Sequence, residues 1–310
     1  MATTFETTNA RRGVYRPELD GLRFFAFLAV FCHHALPDTV RGFTELGVST
    51  ALAPWLSTAV LAGSLGVDFF LCLSAYLITE LLVRERDERG HIDYRAFLVR
   101  RALRIWPLYY AFLGFVVFVW PLFAPDERMS LRQAVAFATF LSNWECAFHG
   151  YPTSLIAPLW SIALEEQFYV LFPFVMLIAS MRRRIALLAA LIVVAMIARY
   201  TVFLLVHEAS SQMLWCNTFT RLDPIAMGAL LALVARGRAP RWHGGLRIAA
   251  KVLALGLVLV TAYVVPLHRD PIGRGAVLSF TMMAAACTLI VWSTLRAHDD
   301  VRGMFCLLYT

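Results

Sequence analysis

The ionisable residues Arg23 and His34 stand inside the apolar run at residues 22–37. Ionisable side chains in segments of this kind are costly in hydrocarbon, so they mark either the interior of a helical bundle or a functional site. On a helix the eleven-residue spacing puts both on nearly one face, roughly 16 Å apart along the axis. An imidazole so placed can take a proton from an attacking hydroxyl. An arginine snorkelling to the interface and a packed histidine would give the same spacing. Glu165 and Glu166 follow Trp160-Ser161. Adjacent helical carboxylates point about 100° apart, so at most one of them faces a shared cavity. Asp68 and the Arg221/Asp223 pair are further charges inside apolar segments, and a two-residue spacing at a helix start suits ion pairing and capping. Arg100, Arg101 and Arg104 crowd the stretch 97–109 just before a span. Their forks fit phosphate, whether on a soluble donor or on lipid headgroups.

Membrane-spanning helices must position these residues. Of the 310 residues, 60% are hydrophobic and 16% charged, against roughly 45–50% and about 25% in a soluble domain, an excess that lipid has to cover. Continuous runs near 20 residues read as helices rather than alternating barrel strands. They fall at 22–37, 65–83, 105–123, 158–180, 185–206, 219–235, 248–266 and 276–295, an all-α polytopic bundle of eight complete spans, with an apolar fragment after Gly303 that begins a truncated ninth. Arginine clusters at 11–16, 84–104, 182–184 and 236–247 place those segments and the N-terminus on the cytoplasmic side. Loops 38–64, 124–157, 207–218 and 267–275 then lie outside, with 51–63 and 131–142 as short interfacial or re-entrant pieces.

Residues 1–20 read as a polar cytoplasmic segment leading an uncleaved signal anchor, and 21–310 as one integral domain. The net charge of +7 reports orientation rather than nucleic-acid binding, because the basic residues occupy separate short loops with no stacking platform. Cys146 and Cys216 fall in outside loops, where an oxidising compartment would permit a disulfide. No spacing of His and Cys matches a metal site.

Four blocks in order resemble the membrane-bound acyltransferase family 3. They are Glu18-Leu-Asp-Gly-Leu-Arg23 with His34, Gly66-Val-Asp-Phe-Phe-Leu-Cys-Leu-Ser74 through Thr79, Phe97 through Tyr109, and Trp160-Ser161 through Glu165 to Tyr169; a weaker fifth runs from Thr220 to Gly228. Ala75-Tyr76 replaces the usual Gly-Phe and Ile162 the usual Leu. A late span with a Ser-Tyr-x-x-Tyr-Leu-x-His type start is absent, as in a family member cut short.

The resemblance implies a bacterial cytoplasmic (inner) membrane enzyme that moves an acyl group, most often acetyl, from acyl-CoA to a hydroxyl. The acceptors it implies are carbohydrates, lipid-linked glycans or macrolides. Acyl-CoA is then a donor substrate, with no bound cofactor and no metal. His34 matches the histidine required for transfer and Arg23 its partner, Glu165 matches the glutamate of the Trp-Ser block, and Arg101 and Arg104 match an inner Arg pair that handles the donor. A relay of Arg23, His34 and Glu165 in a transporter of a lipid-linked sugar is the alternative.

Overall fold

A computed structural model describes residues 17–152, 155–205, 211–235, 244–264 and 274–295. The expected N-terminal segment up to residue 16 and the apolar ending after Leu295 lie outside the described residues, as does most of the basic stretch 236–247. Among the described residues the regular structure is all helix, with no strand. The first helix, α1 (Pro17–Ala35), is followed by two short ones, α2 (Val40–Glu45) and α3 (Ala53–Ala62), and by the long α4 (Gly66–Arg89). Next come α5 (Tyr94–Gly114), the short α6 (Leu131–Ala138) and α7 (Ser142–His149), then α8 (Trp160–Leu177) and α9 (Met181–Leu205). The series ends with α10 (Ser211–Cys216), α11 (Leu222–Ala235), α12 (Gly244–Val264) and α13 (Arg274–Thr294).

Helices occupy all eight expected positions, and five helical segments are long and apolar enough to cross a membrane: Ala53–Arg89, Tyr94–Leu122, Met181–Leu205, Gly244–Thr261 and Val277–Thr294. The expected spans at 22–37, 158–180 and 219–235 are not among them. α1 carries acidic Glu18 and Asp20 in its first turn and Arg23 close behind, α8 carries two glutamates, and α11 has only 14 residues.

The boundaries also differ. The stretch 51–63 is no separate re-entrant piece, because α3 passes through a single 3-10 turn into α4 to make a run of 37 residues. The segment 84–104, expected inside, is mostly helix. Only residues 90–93 interrupt it, where Gly90 turns the chain at φ 76° and Asp93 caps α5 by accepting a hydrogen bond from the Ala96 amide at 2.9 Å. A left-handed φ at a helix end is a conformation glycine adopts without penalty. Several arginines of the clusters expected inside therefore line helix ends and have specific work there. Arg86 donates to the Met176 carbonyl at 2.7 Å and Arg184 to the Ile178 carbonyl at 2.6 Å. The end of α8 is thus capped by two neighbouring helices.

α4 is the centre of the bundle, packed against α1, α8, α11 and α13, with α9 and α12 reached through α11 and α13. Small residues set the spacing. A Cβ on Gly228 of α11 would strike the Cys72 carbonyl of α4, and one on Gly66 would lie 2.8 Å from Val30 of α1. Close backbone approach of this kind is how helices associate where lipid supplies no hydrophobic drive. Gly228→Ala is expected to cost about 1–3 kcal/mol through forced separation of α4 and α11. The check is the thermal midpoint in detergent; a wild-type midpoint would show that the contact is not tight.

Candidate active site

The Trp160–Tyr169 block lies on α8 with its two glutamates directed differently, as the 100° rule requires. Glu165 turns toward α4 and its own next turn. Ser74 Oγ donates to Glu165 Oε1 at 3.2 Å and Tyr169 Oη to Oε2 at 2.8 Å, so both carboxylate oxygens are held. Arg23 of α1 and Arg101 of α5 both act on this carboxylate through space. Arg101 is half-buried, its Nε has no hydrogen-bond partner among the described residues, and it feels the positive charges of Arg104, Arg100 and Arg23. Four helices thus bring two cations, one carboxylate and two hydroxyls together. Glu166 turns the other way and accepts from Trp106 Nε1 at 3.2 Å.

Arg23 also pairs with Asp20, one turn earlier, at 3.3 Å. The cluster keeps an unused buried donor on Arg101, which suits an anionic ligand group entering from the arginine-rich end. Arg104 is exposed beside it. Arg100 is engaged elsewhere, on Glu85 at 3.4 Å, where Arg89 is also bound at 3.4 Å. That pair ties α5 to the end of α4.

His34 shares only its helix with this group. It is exposed near the far end of α1, its ring edge-on to His33 at 5.1 Å and 63°. His33 Nδ1 lies 3.0 Å from the Val60 carbonyl of α3. The unbroken α1 keeps Arg23 and His34 roughly 16 Å apart.

Asp68, Arg221 and Asp223 form a separate group. Arg221 pairs with Asp68 at 3.0 Å, and Asp223 with Arg199 of α9 at 3.0 Å, all four side chains with zero exposure. Thr281 of α13 donates to Asp223 at 2.8 Å and accepts from Arg199 at 2.6 Å. The Arg221 guanidinium lies 4.7 Å from the Phe280 ring centroid and 5.0 Å from that of Trp215. Paired, charge-neutral and closed, this group locks α4, α9, α11 and α13 together. Trp160 is buried in the core and Ser161 caps locally, donating to the Pro158 carbonyl at 3.0 Å.

Sequence reasoning missed Tyr169 and Arg199. Tyr169 stands four residues after Glu165 on one helix face, and Arg199 is the lone cation deep in the apolar run 185–206, so both had a readable signal.

A family model described as an acyltransferase domain matches residues 16–307. YrhL of Bacillus subtilis is 29% identical over 91% of this chain and 46% of its own length. The O-acetyltransferase OatA of Staphylococcus aureus is 29% identical over 71% of this chain and 35% of its own. The peptidoglycan O-acetyltransferase OatA of Listeria monocytogenes is 30% identical over 81% and 40%. The chain therefore spans less than half the length of these curated relatives. No solved structure matches. The match across nearly the whole sequence places the polar cluster of α1, α4, α5 and α8 in a helical membrane protein that belongs to the acyltransferase domain family.

Proposed function

We propose that this chain is the membrane part of an O-acetyltransferase that moves an acetyl group from an acyl-CoA thioester to a hydroxyl of a cell-wall glycan. It sits in the bacterial cytoplasmic membrane with its N-terminus inside and the helices at all eight expected positions contributing to the bundle. The observation that carries the reading is the convergence of Arg23, Arg101, Ser74 and Tyr169 on Glu165 in a chain of this family. The peptidoglycan named for the Listeria relative supplies the acceptor class.

In this reading Arg101, with Arg104 beside it, holds the donor's phosphates at the cytoplasmic end, and Arg23 lines the path of the thioester arm toward His34. The acceptor hydroxyl gives its proton to His34 as its oxygen bonds to the acyl carbon. The carbon–sulfur bond breaks, and the leaving thiolate takes the proton back from His34. Glu165, fixed by two hydroxyls, balances Arg23 and Arg101 so that they are positioned rather than mutually repelled.

Protein reconstituted in liposomes with labelled acetyl-CoA on one side and a glycan panel on the other tests the reading. Label on the glycan is the expected result. Donor binding with no transfer to any acceptor would instead favour a carrier. Arg101→Ala is expected to weaken donor binding about tenfold or more, the loss of a charge-assisted contact, read by titration of labelled donor.

A further inference from the structure

The short helices α7 and α10 lie about 70 residues apart in sequence, in the loops 124–157 and 207–218, yet they pack together. Asn143 of α7 donates to the Cys216 carbonyl at 3.1 Å and to Thr218 Oγ1 at 2.9 Å. Gln167 of α8 joins them, donating to Asn143 Oδ1 at 2.8 Å and accepting from Thr218 at 2.8 Å. This amide network brings Cys146 and Cys216 together, each with zero exposure. Their thiols share a hydrogen bond, and Cys216 Sγ donates on to Tyr151 Oη at 3.5 Å.

The other cysteines are differently placed. Cys72 is directed at Thr288 Oγ1, 3.6 Å away, and Cys287 is buried near it between α4 and α13, both inside the helical bundle, while Cys32 lies on α1. Among the described residues, only the Cys146/Cys216 pair joins two segments that the arginine distribution puts outside the membrane.

We propose that Cys146 and Cys216 are the site of a disulfide that staples the two outer loops, formed while the chain matures in an oxidising compartment. The reaction is thiol–disulfide exchange with an oxidised dithiol protein. A thiolate of one cysteine attacks the donor disulfide, the second cysteine displaces the mixed disulfide, and the sulfur–sulfur bond forms as the donor leaves with both electrons and two protons as a dithiol. Once the loops have closed, the reduced pair is a poor substrate. The hydrogen bond to Cys216 and then burial hold the Cys146 thiol protonated, well above the usual cysteine range. The bond is therefore made during assembly, before α7 seats on α10. The inference rests on the orientation of the loops and not on any catalytic assignment.

The test is peptide mapping of the full chain from cells lysed in excess N-ethylmaleimide. Peptides carrying Cys146 and Cys216 are expected to be joined, two hydrogens lighter than the sum of the free peptides, and to separate on reduction, while Cys72 and Cys287 take the label after denaturation. Label on both Cys146 and Cys216 without prior reduction would overturn the proposal. In detergent, dithiothreitol is expected to lower the thermal midpoint by about 5 °C, with no such effect on the Cys146→Ser/Cys216→Ser protein.

Discussion

Asp68→Ala is expected to cost about 3–5 kcal/mol of stability, among the largest effects of any single substitution in this chain. Arg221 would keep its charge in a site with zero exposure, facing the rings of Trp215 and Phe280, with Asp223 already committed to Arg199 and Thr281. The rings soften the cost by about 1–2 kcal/mol at most, because a cation over an aromatic face is attracted but not neutralised. Arg221→Met on the Asp68→Ala background is expected to recover much of the loss, since removing both charges removes the desolvation penalty with the attraction. Unfolding midpoints in detergent for the single and double variants form the cycle. An Asp68→Ala midpoint equal to wild type would show that the pair does not hold the helices together.

His34→Ala is expected to reduce acetyl transfer by about 10²–10⁴-fold, the range a positioned general base contributes. In the proposed reading the donor is held by arginines toward the other end of α1, so donor binding is expected to stay within about twofold of wild type. His34 is exposed, and its truncation leaves no core cavity. A matching thermal midpoint will separate a chemical loss from a folding loss. Transfer at the wild-type rate in a folded His34→Ala protein would remove the histidine from the mechanism and leave the Glu165 cluster as the place to look.

Much of this could be read from the letters because hydrocarbon leaves the backbone few choices. Apolar runs located every long helix, and the rarity of charges in them singled out Arg23, Glu165, Asp68, Arg221 and Asp223. The pairing could not be read. Nothing in Asp68 or Arg221 says that they meet between α4 and the turn that leads into α11 while Asp223, two residues from Arg221, turns to Arg199; that depends on how α11 packs on α4, where Gly228 lies against the Cys72 carbonyl. The merging of α3 into α4 was hidden as well, because Gly63 and Gly66 look like breakers and serve instead as points where α1 presses against a continuing helix. The two glutamates did divide as helix geometry requires; that geometry left open which of them faces the arginines, the resemblance pointed to Glu165, and what holds its carboxylate, Ser74 and Tyr169, needed the structure.

The run from Ala53 to Arg89 has 37 residues, a contour of about 55 Å at 1.5 Å per residue. A hydrocarbon layer of about 30 Å cannot contain it, and the usual tilt near 20° shortens its reach by only a few ångströms. Two or three turns of α4, those bearing Glu80, Arg84, Glu85 and Arg89 with their mutual ion pairs, therefore rise as a post into the water beside the start of α5. A charged molecule meeting this post is still fully hydrated. In the proposed reading it sheds that water stepwise on the way to Arg101, so capture and desolvation fall at different heights, the first on α4 and the second on α5.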